Sequence, residues 1–453
     1  MNRHRYMPLL LGGVMLLGAC GDLTVPDFNN PSLEELRDNP TRVGVLTATT
    51  GLLIGARANI ASQNGYVSVL GVVGRESFVL DPADPRYVTE LIQGPLDPGS
   101  PAFGGNLFTL RYRNIRNANI VLNALQSPNL TGVTEQEKEA IRGFVKTIQA
   151  YDYLLVINTR GENGAPIEVN RDINDPLAPL ATQEAVFAFI EQLLNEAQGH
   201  LQAAGSTFPF PLSSGFTSFN TPSQFLKFNR ALKARVDTYQ KDYPGALQAL
   251  AGSFLSTDAP LDLGVYHDYA AGSGDTQNTL GAPTIFVQPG IVQNAAQKPN
   301  GTLDARVLAK TEAVEEPRTL GGVTSGFDFT LYPLASSPVP FIRNEELILL
   351  RAEARWFTGD RAGAIQDLNF VRTTSGGLAP IAIPATDNAF IDALLYERTY
   401  SLLFEGGHRW IDYRRFGRLN QLPPILAGAT VPNAFPIPRD ECLARELPVP
   451  CRV

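Results

Sequence analysis

The stretch Tyr396–Gly417 reads YERTYSLLFEGGHRWIDYRRFG, and its mixture of dense charge with large aromatics decides the reading of the fold. Its first half is helical in spacing, with Leu395, Thr399, Leu402 and Leu403 on one face, the three-and-four interval of a helix side. Around them stand Glu397, Arg398, Glu405, Arg409, Asp412, Arg414 and Arg415, set against the aromatics Trp410 and Phe416. Two carboxylates so placed invite a catalytic reading. Glu397 and Glu405, however, lie about 12 Å apart along a helix axis at 1.5 Å per residue, wider than a glycosidase pair requires. The reading adopted is an ion-pair network that locks the last helices together, each charge offset by a neighbour.

Working outward, the chain reads as a series of helical hairpins. Thr41–Ser62 and Asn106–Leu125 are amphipathic and separated by a segment that includes the Pro/Gly loop Gly94–Gly105. Thr134–Asn158 opens with Thr134 and, three residues on, Glu137, the signature of a capping box. Thr182–Ala204 is its return helix. Ser223–Tyr239 with Pro244–Phe254, and Glu345–Phe357 with Arg361–Arg372, form two further pairs across tight turns. Ala234, Tyr239, Asp242 and Ala246 in one, and Ala352, Trp356, Gly359, Asp360 and Ala364 in the other, follow tetratricopeptide logic: small residues at the close approach, an aromatic in the groove, a Gly or Asp turn. Between these pairs, residues 259–343 are rich in Gly, Pro, Ser, Thr and Asn, too long for one connecting loop and read as an irregular functional insertion. The expected class is mainly α, a scaffold of tetratricopeptide-like hairpins carrying a large loop-rich portion.

At the N-terminus, Arg3 and Arg5 precede an uncharged, mostly apolar run from Met7 to Ala19, followed at once by Cys20. That run is too short to span a bilayer. With Gly18 and Ala19 before the cysteine it reads as a lipoprotein signal, residues 1–19, cleaved to leave a lipid-modified Cys20. Residues 20–40, polar and proline-bearing, read as the tether, and 41–453 as one domain. The net charge is −8, and loss of Arg3 and Arg5 makes the mature chain more acidic, which argues against a nucleic-acid partner. Cys442 and Cys451, nine apart in an exported chain, read as a local disulfide. His200, His267 and His408 show no metal spacing, and no phosphate loop or Gly-x-Ser-x-Gly nucleophile occurs, so neither metal, cofactor nor catalytic residue is expected.

The closing stretch resembles the SusD/RagB family, outer-membrane lipoproteins of nutrient uptake. Glu397, Arg398, Phe404, Glu405, Gly406, Arg409, Trp410, Asp412, Arg414 and Arg415 stand at places matching its pattern, with Gly407-His408 adding one residue. Arg343-Asn344-Glu345-Glu346-Leu347, Asn369-Phe370-Val371-Arg372, Phe435-Pro436-Ile437-Pro438 and the Cys20 lipobox agree with it. The usual acidic, Asn-rich tail is replaced by the cysteine-bearing Asp440–Val453. The resemblance implies a non-catalytic protein on the cell exterior, anchored in the outer membrane. It would capture glycan or oligopeptide and deliver it to a TonB-dependent, SusC-like transporter. The alternative is a surface-anchored hydrolase, such as a glycosidase, on a helical scaffold.

A glycan platform needs flat aromatics beside amides and hydroxyls. Tyr66, Phe78, Tyr87, Phe103, Tyr266, Tyr269 and Tyr332 stand in loop-like contexts and are the ligand candidates, with packing beneath a loop the competing role for each. Phe208, Phe210, Phe216 and Phe219 cluster near prolines and either cap the scaffold or face the transporter.

Overall fold

Threonine hydroxyls open the long helices, because the first-turn N–H groups have no partner within a helix. Thr41, Thr134, Thr182, Thr221 and Thr386 each accept from the backbone N–H three residues on. At Thr134 the Glu137 carboxylate returns the bond, accepting from the Thr134 N–H at 2.8 Å and completing the capping box. The computed structural model describes residues 33–172, 174–272 and 275–453. The signal segment, Cys20 and most of the 20–40 tether lie outside the described residues. The tether's last part forms helix α1 (Leu33–Asp38), with Leu36 buried.

Helices α2 (Arg42–Arg57) and α3 (Tyr66–Val73) follow, then α4 (Asn106–Ala124), α5 (Glu135–Arg160), α6 (Gln183–Ala203), α7 (Pro222–Gln240) and α8 (Tyr243–Ala251). The short α9 (Pro289–Gln293) and α10 (Ala305–Lys310) precede α11 (Asn344–Phe357), α12 (Arg361–Thr374), α13 (Asp387–Ser401), α14 (His408–Arg415) and α15 (Arg439–Ala444). Successive long helices from α4 to α8 pack on one another, and α11 continues the stack by resting on both α7 and α8. The fold is mainly α with tetratricopeptide-like hairpins. Ala234, Ala246, Ala352 and Ala364 are fully buried where the paired helices approach most closely. Asp242 and Asp360 occupy equivalent turns and cap Gly245 and Gly363. Tyr243 and Phe357 stack at 4.8 Å between the two pairs.

The 259–343 portion differs from the expectation, because it carries regular β-structure. Among the described residues the strands are β1 (Ser77–Val79), β2 (Ala165–Pro166), β3 (Leu180–Ala181), β4 (Gly264–His267), β5 (Ile285–Val287), β6 (Thr311–Leu320), β7 (Val323–Phe329) and β8 (Val339–Arg343). An antiparallel sheet runs β1-β5-β7-β6, so its first edge comes from far earlier in the chain. β4 pairs with β8, and β2 with β3. These strands escaped the sequence reading because β1 and β5 are buried on both faces while β6 is exposed along most of its length. Neither case shows the alternation that marks a half-buried strand.

Candidate functional site

Six of the seven candidate aromatics are core residues. Tyr66, Phe78, Tyr87, Phe103, Tyr269 and Tyr332 are each at most 6% exposed, so none offers a ring face to a ligand. The Tyr66 hydroxyl accepts from Asn158 at 3.2 Å, and that of Tyr332 donates to the Phe404 carbonyl at 3.0 Å. Tyr87 and Phe103 meet edge to face at 4.6 Å. Tyr66 opens α3 and Phe78 lies in β1, and all six rings turn inward because large rings gain more from burial than from exposure. Tyr266 stays half-exposed, its hydroxyl donating to the Asp262 carbonyl, beside a hollow of about 200 Å³. Phe210, Phe216 and Phe219 are buried, and Phe208 and Phe210 pack against Phe144 in the scaffold.

The charged stretch is a buried ion-pair network that reaches well beyond its own helices. Arg343 Nε meets Glu405 at 2.7 Å, and Lys310 meets the other Glu405 oxygen at 3.1 Å. Glu397 lies between Arg306 at 2.6 Å and Arg372 at 2.7 Å. Arg398 and Arg415 share Asp412, and Arg415 also pairs with Glu353. Arg235 of α7 grips Glu346 of α11 with two bonds. Burial pushes the Glu345 and Glu346 carboxyls up, but Arg343 beside the one and Arg235 beside the other overcome it and hold both at about 2. Every carboxylate named here faces a guanidinium or ammonium group, the arrangement that offsets the cost of burying charge.

A large open space lies elsewhere, along α4. One cavity of about 910 Å³ is bordered by α4, by residues 166–172 and 175–178, and by α15. A second of about 490 Å³ adjoins it toward α6, and a third of about 440 Å³ lies on the other side of α15. Together they follow one stripe of α4: Asn106 and Thr109 at one end, Tyr112 and Arg116 in the middle, Asn119 and Asn123 at the other. The opposite face of that helix buries Leu107, Ile115, Ala118 and Val121, the division of an amphipathic helix. Nineteen residues make α4 ~28 Å long at 1.5 Å per residue.

Beneath this floor a polar pin holds α4 in place. Arg111 reaches Asp152 of α5 at 2.9 Å and the Ala56 carbonyl of α2 at 2.7 Å. Asn114 donates to the second Asp152 oxygen at 2.7 Å and to the Leu52 carbonyl at 3.1 Å. At Gly55 a Cβ would collide with the Asn114 amide. Burial raises Asp152 to about 6, against the pull of Arg111.

The side chains presented to the trough mix amides with charged groups. Asn123 and Asn170 exchange two bonds, at 3.0 and 3.2 Å, and Gln149 donates to Asn119 at 2.7 Å. These bonds orient the amides while leaving donors and acceptors unused. Tyr112 is half-buried, its hydroxyl fixed on the Pro166 carbonyl at 2.7 Å, and Phe189 is a second half-buried ring. Neighbouring charges are mostly spent on one another: Lys146 with Glu196 at 2.5 Å, Arg171 with Glu168 at 2.8 Å, Arg445 with Glu441 at 2.6 Å. Arg116 is exposed and borders the trough. Fixed amides beside ring faces suit a neutral, polyhydroxylated ligand. None of these residues was a candidate from sequence. Their signal was present in Asn106, Asn114, Asn117, Asn119 and Asn123 along one long helix, where asparagine is a poor helix former.

Among the described residues, no group of three or more His, Cys, Asp or Glu side chains is placed to hold a metal, and no helix is long and apolar enough to cross a membrane. Cys442 and Cys451 are joined as a disulfide.

The model of the SusD family matches residues 332–435. No curated protein matches the chain. Solved structures share its fold. A surface glycan-binding protein A from Bacteroides thetaiotaomicron superposes with a TM-score of 0.70 at 15% identity, over 90% of this chain and 98% of that one. A SusD-like protein from Bacteroides fragilis gives 0.69 at 15% identity over 91% and 97%. A laminarin-binding SusD-like protein gives 0.66 at 18% identity over 90% and 98%.

Proposed function

We propose that this chain, whose residues 332–435 match the SusD family model, is a cell-surface glycan-capture protein whose ligand lies along the α4 trough. The observation that carries the reading is the trough itself: oriented amides and half-buried rings over ~28 Å of one helix. Two of the solved structures that share the fold are a laminarin-binding protein and a surface glycan-binding protein. Lipid on Cys20 would tether the domain to the outer membrane, facing outward. A TonB-dependent barrel transporter would receive the captured chain. No catalytic group is assigned to the trough: Glu196 and Glu441 are each held by a cation, and Asp172, Asp175 and Asp440 border it without a second carboxylate or base shown to act with them.

The test is titration calorimetry of the mature chain against neutral polysaccharides and oligopeptides, with product analysis. Saturable glycan binding without turnover is expected. Peptide binding alone, or release of shortened sugars, would overturn the reading. Purification from the native membrane with a barrel transporter is the companion result expected for delivery.

A further inference from the structure

The segment after Pro438 has a specific placement. α15 stands between two cavities of the trough: Glu441 borders both, and Arg445 borders the larger. From there Arg445 donates to the Ala178 carbonyl on the opposite wall and to Glu441 through Nε at 3.1 Å and Nη2 at 2.6 Å. The Arg439 N–H donates to the Pro98 carbonyl at 2.9 Å, fixing the near end of α15.

The disulfide closes the far end. Cys442 and Cys451 are buried and pack with Ile437 and Leu180, the latter in β3. The Leu447 N–H returns to the Cys442 carbonyl at 3.0 Å, so residues 442–451 form a closed ring on the outside of α15. Beyond it Val453 sits so close over Gly164 that a Cβ there would collide with it and with the Ala181 carbonyl. One covalently closed loop therefore fixes both the bar across the trough and the 176–181 wall beside it.

We infer that this C-terminal disulfide loop is a specificity element of the glycan site: it holds Arg445 and Glu441 as a bar that selects for oligomers long enough to engage α4 on both sides. The inference rests on the glycan-capture reading. Arg445 is a positioning residue, since it acts by tying α15 to Ala178, and Glu441 is the group left to meet the ligand at the crossing. Cutting the loop widens the trough and removes the distinction between short and long chains.

The experiment measures affinity of the full mature chain for two ladders, β-1,3-glucan and α-1,4-glucan, each from disaccharide to long oligosaccharide. It compares the unmodified protein with Arg445→Ala and with the Cys442→Ser/Cys451→Ser pair. Circular dichroism checks folding, and mild reductant on the native protein stands in should the double variant fail to fold. Expected for the unmodified chain is affinity that climbs steeply with length, and for Arg445→Ala and the opened loop a loss of about tenfold confined to the long oligosaccharides, equal to ~1.4 kcal/mol. Arg445→Lys restores part of the length dependence. Unchanged length dependence in Arg445→Ala and in the reduced protein would overturn the inference while leaving glycan capture standing. No binding of either ladder by the unmodified chain would overturn the capture reading and this inference with it.

Discussion

The closing helices α11 to α14 and the trough along α4 are both rich in polar side chains, and they use them in opposite ways. In the closing helices the charges are buried and matched in pairs: Arg343 with Glu405, Arg235 with Glu346, Arg398 with Asp412. Along α4 amides stand beside the exposed Arg116 at the edge of solvent, the amides with bonding capacity unspent. A buried charge that has found its partner is structure. An oriented amide with capacity to spare is what a ligand uses.

The sharpest way to break this contrast is Glu346→Ala. It leaves the Arg235 guanidinium buried without a carboxylate, which costs about 3–5 kcal/mol, so thermal unfolding should drop by many degrees while any folded fraction still binds glycan. A melting temperature that hardly moves would show that the network is not what holds α7 to α11.

Next in size is Glu76, whose two carboxylate oxygens are buried out of hydrogen-bond geometry. Burial pushes its carboxyl up to about 8, outweighing the Arg409 charge and the Phe404 N–H. The folded state keeps a proton that the unfolded state gives up near pH 4.3, so this residue's contribution to stability falls as pH rises toward 8. Glu76→Gln removes that loss. The variant should gain on the native protein as pH rises from 5 to 9, by an amount on the order of a few kcal/mol at the alkaline end. Equal stability differences at both ends in chemical denaturation would refute it. The acid limb has the opposite sign: Glu345 and Glu346, held at about 2, lose their contribution as pH falls from about 4.5 toward that value.

On the trough side, Asn119→Ala combined with Asn123→Ala removes two floor amides. At about 1 kcal/mol per hydrogen bond, glycan affinity should fall by roughly tenfold or more with the melting temperature little changed. Equal affinity would move the ligand elsewhere. The smallest effect is expected at Thr134→Ala, which breaks the capping box of α5 for about 1 kcal/mol of stability and leaves binding alone.

Much of the scaffold was legible. The Thr134–Glu137 cap, the Asp turns and the buried alanines of two hairpins are local features whose physics acts within a few residues. The charged stretch was legible as a network, but its partners were not, because Arg235, Lys310 and Arg343 come from elements remote in sequence. Of the two roles open to each loop-like aromatic, ring platform or packing beneath a loop, Tyr87 and Phe103 take the second and meet edge to face. The asparagines of α4 were passed over because each is unremarkable alone.

By itself the sequence determined what depends on short-range rules: helix starts and stops, tight hairpin turns, and the spacing that puts Cys442 within reach of Cys451. Only the tertiary structure decided which polar groups are buried against a partner and which line an open trough. It also decided that the last residues of the chain become a wall of that trough. Burial and pairing are properties of surfaces brought together from distant parts of the chain, and spacing along the sequence does not carry them.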